Sequence, residues 1–385
     1  MKKLSRELES SLRSSEIFYT WALNLARGIQ NTAAISALEG AYAGIVKARR
    51  NLALFQHHDA ITGTAKAFVT HDYGEKLFDG IIGTRNAMKT SAQYILLKDR
   101  NLFQRKFLES DYERPDYGSR EKPLSLDIKN GAQILVVLNS HAQDVDEMVS
   151  FFVENLDSRK NLCVRDPQGR VLPVQFSPTW TTEGFIRLEK SFLEVSFLAR
   201  LPALSVTKFT VHLCNDKQDQ FPEDSKIEPS PPTKVFCLRC PKNTKFSDDD
   251  PINLDKVNEG SVVISNAYLE LIFDEDTHLL TSVKNKETNL TKNVKLTFGG
   301  YATMQFRNGA YLFKPDTSRD PLPVIDPIDN LKEIVIISGP VFSEISLIYE
   351  AGTTMANLGS FVHTLRFVSY LFTFLTAVCL HFPFF

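Results

Sequence analysis

The stretch Gln56-His57-His58-Asp59-Ala60-Ile61-Thr62-Gly63-Thr64 decides how the first quarter of the chain folds. Apolar residues recur at helical spacing before it, and the same spacing starts again after it. Thr62-Gly63 is the break, because glycine accepts the positive φ at which a helix stops, so the two periods belong to separate helices. The same stretch gathers two imidazoles, a carboxylate and a pair of hydroxyls, the densest set of metal- or sugar-binding groups in the chain.

Outward from it, residues 3–27 carry Leu4, Leu8, Leu12, Phe18, Trp21, Ala22 and Leu25 at helical spacing. Residues 33–57 repeat the pattern with Ile35, Leu38, Tyr42, Ile45, Leu52 and Phe55, and residues 66–97 with Tyr73, Leu77, Ile81, Met88 and Ile95. Three amphipathic helices on short polar links predict an antiparallel three-helix bundle over residues 1–100. Lys47-Ala48-Arg49-Arg50 then lies on a solvated face. Residues 101–130 are charged and contain Pro115 and Pro123, which marks a linker.

From residue 131 the period becomes that of strands. Ile134–Leu138 is a short apolar run, and Asp166-Pro167-Gln168-Gly169 is a hairpin turn between Cys163–Arg165 and Arg170–Val174. Strands are also predicted at Phe192–Phe197, Lys208–His212, Tyr268–Phe273, Leu279–Val283, Ala302–Phe306, Ile334–Ile337 and Val341–Tyr349. With no helices between them, the fold class is α+β: the bundle, then an antiparallel β-sandwich region over 131–365. Residues 215–260, with Pro229, Pro231, Pro232 and Asp248-Asp249-Asp250, read as a long loop or partly disordered insert. Residues 366–385 stand apart, because Phe367–Phe385 carries no formal charge. A splice or gene-model tail, a buried or aggregation-prone strand and a tail anchor are all open readings, and membrane contact depends on the last.

Composition narrows function mostly by exclusion. A chain of 385 residues holds two or three domains, and its net charge of −2, with both signs interspersed, gives no footprint for nucleic acid. The five cysteines are an odd number without a periodic framework. Cys237 and Cys240 lack the second pair that a zinc ribbon needs, so one or two ordinary disulfides are expected if the chain is luminal. No apolar run follows the charged N-terminus, so no secretory signal is read there. Asn289-Leu290-Thr291 is the single N-glycosylation sequon.

On helix geometry His57 and His58 point about 100° apart, so only one easily faces a given site. Zinc takes about four ligands, and this stretch then supplies at most two. The residues alone leave open a zinc site with partners from elsewhere, for which His71 and Asp72 are nearby candidates, or a plain helix cap. Tyr311, in Asn308-Gly309-Ala310-Tyr311-Leu312-Phe313, follows small residues at a predicted strand edge. Exposure to a ligand and burial with a satisfied hydroxyl are both open for it.

His57-His58-Asp59-Ala60-Ile61-Thr62-Gly63-Thr64-Ala65-Lys66, continued by Asp72-Tyr73-Gly74-Glu75-Lys76-Leu77, resembles the retaining zinc α-mannosidases of glycoside hydrolase family 38, most of all their Golgi class. Leu4–Leu25, Asn266–Glu270 and Gly309–Phe313 fit the same family, and the resemblance covers roughly residues 1–365. It implies His58 as a zinc ligand, Asp59 as a hydrogen-bonding partner of mannose hydroxyls, Tyr311 reaching into the same pocket, and a structural role for His57. It also implies that the nucleophile, the acid/base and the other zinc ligands lie on a barrel outside this chain, so no catalytic residue is expected here. The parent chemistry is removal of mannose from N-glycans with Zn²⁺, and the chain alone is expected to be inactive. The alternative is a non-catalytic interaction or weak glycan-binding module, with full-length mannosidase as a partner. The family is Golgi-luminal; the chain as written carries no N-terminal anchor and is expected in the cytosol with reduced cysteines.

Overall fold

The computed structural model describes residues 1–103, 108, 114–119, 124–128, 131–154, 162–181, 187–214, 233–238, 252–256, 262–266, 268–296, 299–300, 309, 311–316, 322–323, 331–349, 361–368 and 374–380. Its first part is α1 (Lys2–Gly28), α2 (Thr32–Phe55) and α3 (Ala67–Leu96). Asn31 starts α2 as a cap: its Oδ1 accepts the Ala34 N–H at 2.9 Å, while its Nδ2 donates to the Arg100 carbonyl at 2.6 Å. The helices run up, down and up. Leu8 and Phe18 of α1, Leu38, Ile45 and Phe55 of α2, and Leu77 and Ile81 of α3 are all buried at the helical spacing read from the sequence.

Small residues set how closely α2 and α3 approach. A Cβ built on Gly44 would meet the Gly83 carbonyl oxygen at 2.9 Å, and one on Gly83 would meet the Gly44 Cα at 3.0 Å. Between this crossing and the turn that joins the two helices, Lys47 Nζ donates to Asp79 Oδ2 at 2.8 Å and Asn51 Nδ2 donates to the Lys76 carbonyl at 2.6 Å. The bundle therefore narrows at a glycine pair and is tied twice more on the way to the turn.

Among the described residues the β region forms four larger sheets and a two-stranded pairing. Gln133–Asn139, Ser205–Leu213, Leu162–Arg165 and Val171–Leu172 form one sheet in that order. Ser125–Leu126, Val145–Glu154, Arg187–Leu201 and Val174–Thr181 form a second. The third has six strands: Ile252–Lys256, Thr233–Leu238, Leu331–Ser338, Phe342–Tyr349, Phe361–Val368 and Phe374–Leu380. The fourth is Val263–Ser265, Leu269–Phe273, Leu280–Asn285 and Leu290–Asn293.

The middle strands of the six-stranded sheet, Leu331–Ser338 and Phe342–Tyr349, are buried on both faces, which explains the uninterrupted run Ile334-Val335-Ile336-Ile337. Val335 and Ile337 join a core with Phe151, Val195, Phe197 and Phe209, while Ile334 and Ile336 join another with Leu271, Phe273 and Leu347. Alternate side chains of one strand serve two cores, so no polar position interrupts the run. Gln175, itself buried, locks the second sheet to this one: its Oε1 accepts the N–H groups of Val341 and Phe342 at 2.9 Å each. A second tie is ionic. Arg366 Nε donates to Glu344 Oε2 at 2.5 Å, its Nη1 lies 3.5 Å from Glu194 Oε1, and its guanidinium sits 4.3 Å from the centre of the Phe342 ring.

The α+β fold class holds, with helices first and mostly antiparallel sheets after. Among the described residues two pairings are parallel: Ser125–Leu126 on Phe152–Val153, and Ile252–Lys256 on Thr233–Cys237. The second corrects the reading of 215–260 as loop. Val235 is buried in the core, so a short apolar segment hidden among polar neighbours is recruited as a strand. The expected Asp166–Gly169 turn forms, with Asp166 Oδ1 accepting from the Gln168 and Arg170 N–H groups and Gly169 at φ +82°. The expected strand Ala302–Phe306 lies outside the described residues. In the apolar tail, Phe374–Leu380 pairs antiparallel with Phe361–Phe367. Among the described residues no helix is long and apolar enough to cross a membrane.

Two substitutions test these ties. Gly44→Ala drives a methyl into backbone; overpacking costs about 1–3 kcal/mol, more than the ~1 kcal/mol alanine gains in helix propensity. Gly40, on the same helix with nothing within 4 Å of its Cβ position, should by contrast gain about 0.5–1 kcal/mol on mutation to alanine. Urea melts of the two variants should shift in opposite directions. Arg366→Met leaves Glu344 and Glu194 without their cation and should cost about 3–5 kcal/mol; a melt within 1 kcal/mol of the parent, on the same scale, would contradict this account of the ion triad.

Candidate functional site

Helix α2 ends at Phe55, earlier than the His57 boundary expected from sequence, so His57, His58 and Asp59 lie in the turn that follows. The turn is held from inside. Ala60 and Ile61 donate N–H groups to the His57 carbonyl, Thr64 and Ala65 donate to the Asp59 carbonyl, and Thr62 Oγ1 donates to the His58 carbonyl. Gly63 sits at φ +79°, the left-handed conformation that brings the chain round toward α3. Ala60 is buried against the bundle with Phe55 and Tyr73, so the base of the turn is anchored while its polar side chains face outward.

These side chains converge on one carboxylate. His57 Nε2 lies 3.4 Å and His58 Nε2 3.6 Å from Asp59 Oδ2, and the two imidazole centres are 4.3 Å apart. The expectation that only one histidine faces the site is thus corrected: the angle between neighbours on a helix does not apply once the helix has ended. The other carboxylate oxygen, Oδ1, accepts the Thr64 hydroxyl at 2.8 Å and the Tyr311 hydroxyl at 3.0 Å. Tyr311 stands on a narrow bridge between Gly309 and Leu312, with 77% of its surface exposed, and Phe313 beside it is 62% exposed. It is therefore a surface tyrosine with an engaged hydroxyl, not a core one.

Asp59 is held below the usual carboxylate range, first by the Thr64 hydrogen bond, then by that of Tyr311, and less by the nearby imidazoles. It is an acceptor fixed in its ionised form. His71 and Asp72 are engaged elsewhere: the two nitrogens of His71 face the Tyr117 hydroxyl and Glu75, and Asp72 pairs with Lys76.

His57, His58 and Asp59 are the one group of three or more metal-ligating side chains found among the described residues, with one ligand atom from each within 4.8 Å of the others. Zinc with bonds of about 2.0–2.1 Å and tetrahedral geometry sets neighbouring ligand atoms roughly 3.3 Å apart. The 3.4 and 3.6 Å separations fit two edges of such a site, and the donor set of two imidazoles and a carboxylate suits it chemically. A tetrahedral ion held here would take its fourth ligand from another segment. Sequence reasoning missed Thr64, whose hydroxyl lies five residues from the carboxylate it binds; a threonine following the turn glycine was the signal for it.

Because the folded-state value of Asp59 is depressed, its stabilising contribution is present above the unfolded carboxylate value and is lost as pH falls through the folded one. Thr64→Val should raise the Asp59 value toward the ordinary range, and Tyr311→Phe should raise it less. Carbon-13 carboxyl NMR titration of the two variants reads the order directly; the reverse order would sink this account.

Residues 1–95 match the family model of the α-mannosidase middle domain, and residues 264–365 that of the glycosyl hydrolases family 38 C-terminal domain. Alpha-mannosidase 2 of Spodoptera frugiperda is 29% identical over 95% of this chain and 31% of its own length. The Homo sapiens protein of the same name is 29% identical over 93% of this chain and 30% of its own, and that of Rattus norvegicus 31% identical over 83% and 27%. The chain thus spans less than a third of the length of these curated relatives. The helical turn and the Tyr311 bridge fall within the two matched domains respectively, and on these matches the chain belongs to family 38 of the glycosyl hydrolases, as a partial match carrying its middle and C-terminal domains.

Proposed function

We propose that this chain forms the helical and β-sandwich part of a zinc-dependent retaining α-mannosidase that trims mannose from N-glycans in the Golgi lumen. The observation that carries the reading is the convergence on Asp59 of His57, His58, Thr64 and Tyr311 from both matched domains. His58, with His57 and Asp59 beside it, would hold the zinc, which as a bound Lewis acid supplies affinity for sugar hydroxyls. Asp59, kept ionised, accepts hydrogen bonds from mannose hydroxyls. The exposed ring of Tyr311 offers an apolar surface to the C–H face of a pyranose while its hydroxyl keeps Asp59 oriented.

Retaining hydrolysis needs a nucleophile and an acid/base about 5 Å apart, and the described cluster offers the single carboxylate of Asp59. The isolated chain is therefore proposed to bind without turnover. The Cys163–Cys214 disulfide supports an oxidising compartment over the cytosolic expectation, since such bonds persist in secretory lumens. It closes a span of 51 residues, for which chain entropy gives about 4 kcal/mol of stabilisation.

Exposure of Tyr311 and Phe313 also favours the second reading, a glycan-binding module without catalysis. Calorimetry of the purified chain with zinc, and NMR of its tyrosines with mannose, separates the possibilities. The expected results are one zinc per chain, abolished by His58→Ala, and zinc-dependent mannose shifts at Tyr311, with no release of mannose from an aryl α-mannoside. No zinc uptake together with mannose shifts would leave the module reading alone, and zinc-dependent turnover would refute the proposed inactivity.

A further inference from the structure

Asn289-Leu290-Thr291 is a motif that the mannosidase reading does not absorb, and the fold presents it well. Leu280–Asn285 and Leu290–Asn293 form a hairpin with Asn285 paired to Leu290 and Lys284 to Thr291, so Asn289 is the last residue of the turn. Asn285 Oδ1 shapes that turn by accepting the N–H groups of Glu287 and Thr288 at 2.9 and 3.0 Å. Asn289 adopts φ +57°, a left-handed conformation that asparagine tolerates better than most residues. Asn289, Leu290 and Thr291 are all exposed, with Leu290 at 56%.

The hairpin also lies where a glycan would act on the fold. Among the described residues, Leu290–Asn293 is the outer strand of its four-stranded sheet, and every residue in it is exposed. An outer strand carries unpaired backbone groups that invite pairing with another chain, and proteins commonly blunt such edges. Here Lys292 and Asn293 are polar, but Leu290 presents an apolar side chain to water at the end nearest the turn.

We propose that Asn289 is an N-glycosylation acceptor whose oligosaccharide covers the exposed edge at Leu290–Asn293. The donor class is an oligosaccharide linked to a lipid through diphosphate. Asn289 Nδ2 attacks the anomeric carbon, the new C–N bond replaces the C–O bond to the diphosphate, Nδ2 gives up one proton, and the lipid diphosphate leaves. The Thr291 hydroxyl, two residues on, is the second requirement of the acceptor sequence. The disulfide between Cys163 and Cys214 is of the kind that persists in an oxidising lumen, the compartment where this transfer takes place, and it supports the proposal independently of the zinc site.

The test is the full 385-residue chain routed into the secretory pathway of eukaryotic cells by an appended leader. Peptide N-glycosidase treatment should increase gel mobility by one glycan's worth and convert Asn289 to aspartate in the peptide mass spectrum. Asn289→Asp, which keeps tolerance of the left-handed backbone, and Thr291→Ala should each abolish the shift, and Thr291→Ser should retain it. Deglycosylation under native conditions should raise the fraction of multimers on size-exclusion chromatography. A luminal chain unmodified at Asn289 overturns the acceptor assignment, whether or not Cys163 and Cys214 are oxidised. A glycan whose removal leaves the multimer fraction unchanged overturns the edge-covering role. Neither result depends on zinc or mannose, so failure here is distinct from failure of the mannosidase reading.

Discussion

The approach of α2 to α3 at Gly44 and Gly83 is the constraint on which the candidate site depends. With the two backbones in contact there, the axes cannot separate, and the chain must reverse within the residues between Phe55 and Ala67. A turn that short cannot wander. Ala60 is pulled into the bundle core, the Asp59 and His57 carbonyls are used up as acceptors, and the polar side chains have only the outward direction left. The position of the His-His-Asp cluster thus follows from how small two residues are, more than two helical turns away on either helix.

The β region closes the site from the other side. Tyr311 reaches Asp59 across 252 residues of sequence, and a single hydroxyl cannot by itself hold two domains in register. That register is supported elsewhere by weak, dispersed contacts, such as the 2.8 Å hydrogen bond between the Ser14 and Ser140 hydroxyls. Within the β region the ties are far stronger. Gln175 satisfies two backbone N–H groups of the neighbouring sheet, and Arg366 brings two carboxylates together under an aromatic ring. These ties hold the second sheet firmly against the six-stranded one.

Helices were legible in the sequence almost residue for residue, because a 3.6-residue period over more than 20 positions leaves little ambiguity. Strands were legible where they carry one unbroken apolar run, as at Ile334–Ile337, or a marked turn, as at Asp166–Gly169. Val145–Glu154 and Thr233–Leu238 were missed for a physical reason. In the first, Asp146-Glu147 and Phe151-Phe152-Val153 set like residues side by side and so break the two-residue period; the second is a short run between polar, proline-containing neighbours. At the site, Asp59, His58 and Tyr311 could be picked out by type and by resemblance, but the engagement of His57 could not. Its direction depends on the helix ending two residues before it, and a boundary shift of that size is below what periodicity resolves.

The charge arrangement at Asp59 bears on how a metal and a sugar could share one residue. Its two oxygens are divided: Oδ2 faces the imidazoles and Oδ1 faces the hydroxyls of Thr64 and Tyr311. A carboxylate has about four lone-pair positions, so accepting two hydroxyls on one oxygen leaves the other free to face a cation. Those hydroxyl bonds also favour the ionised form without any bound metal, so the residue meets a cation already charged and already oriented. On the proposed function, a sugar hydroxyl arriving at Oδ1 would have to displace or share the Tyr311 bond. Since Tyr311 is mostly exposed, its hydroxyl can turn to water when released, and the exchange leaves no buried polar group unpaired. On the proposed function, the exposed position of Tyr311 would therefore allow a substrate to replace it at low cost.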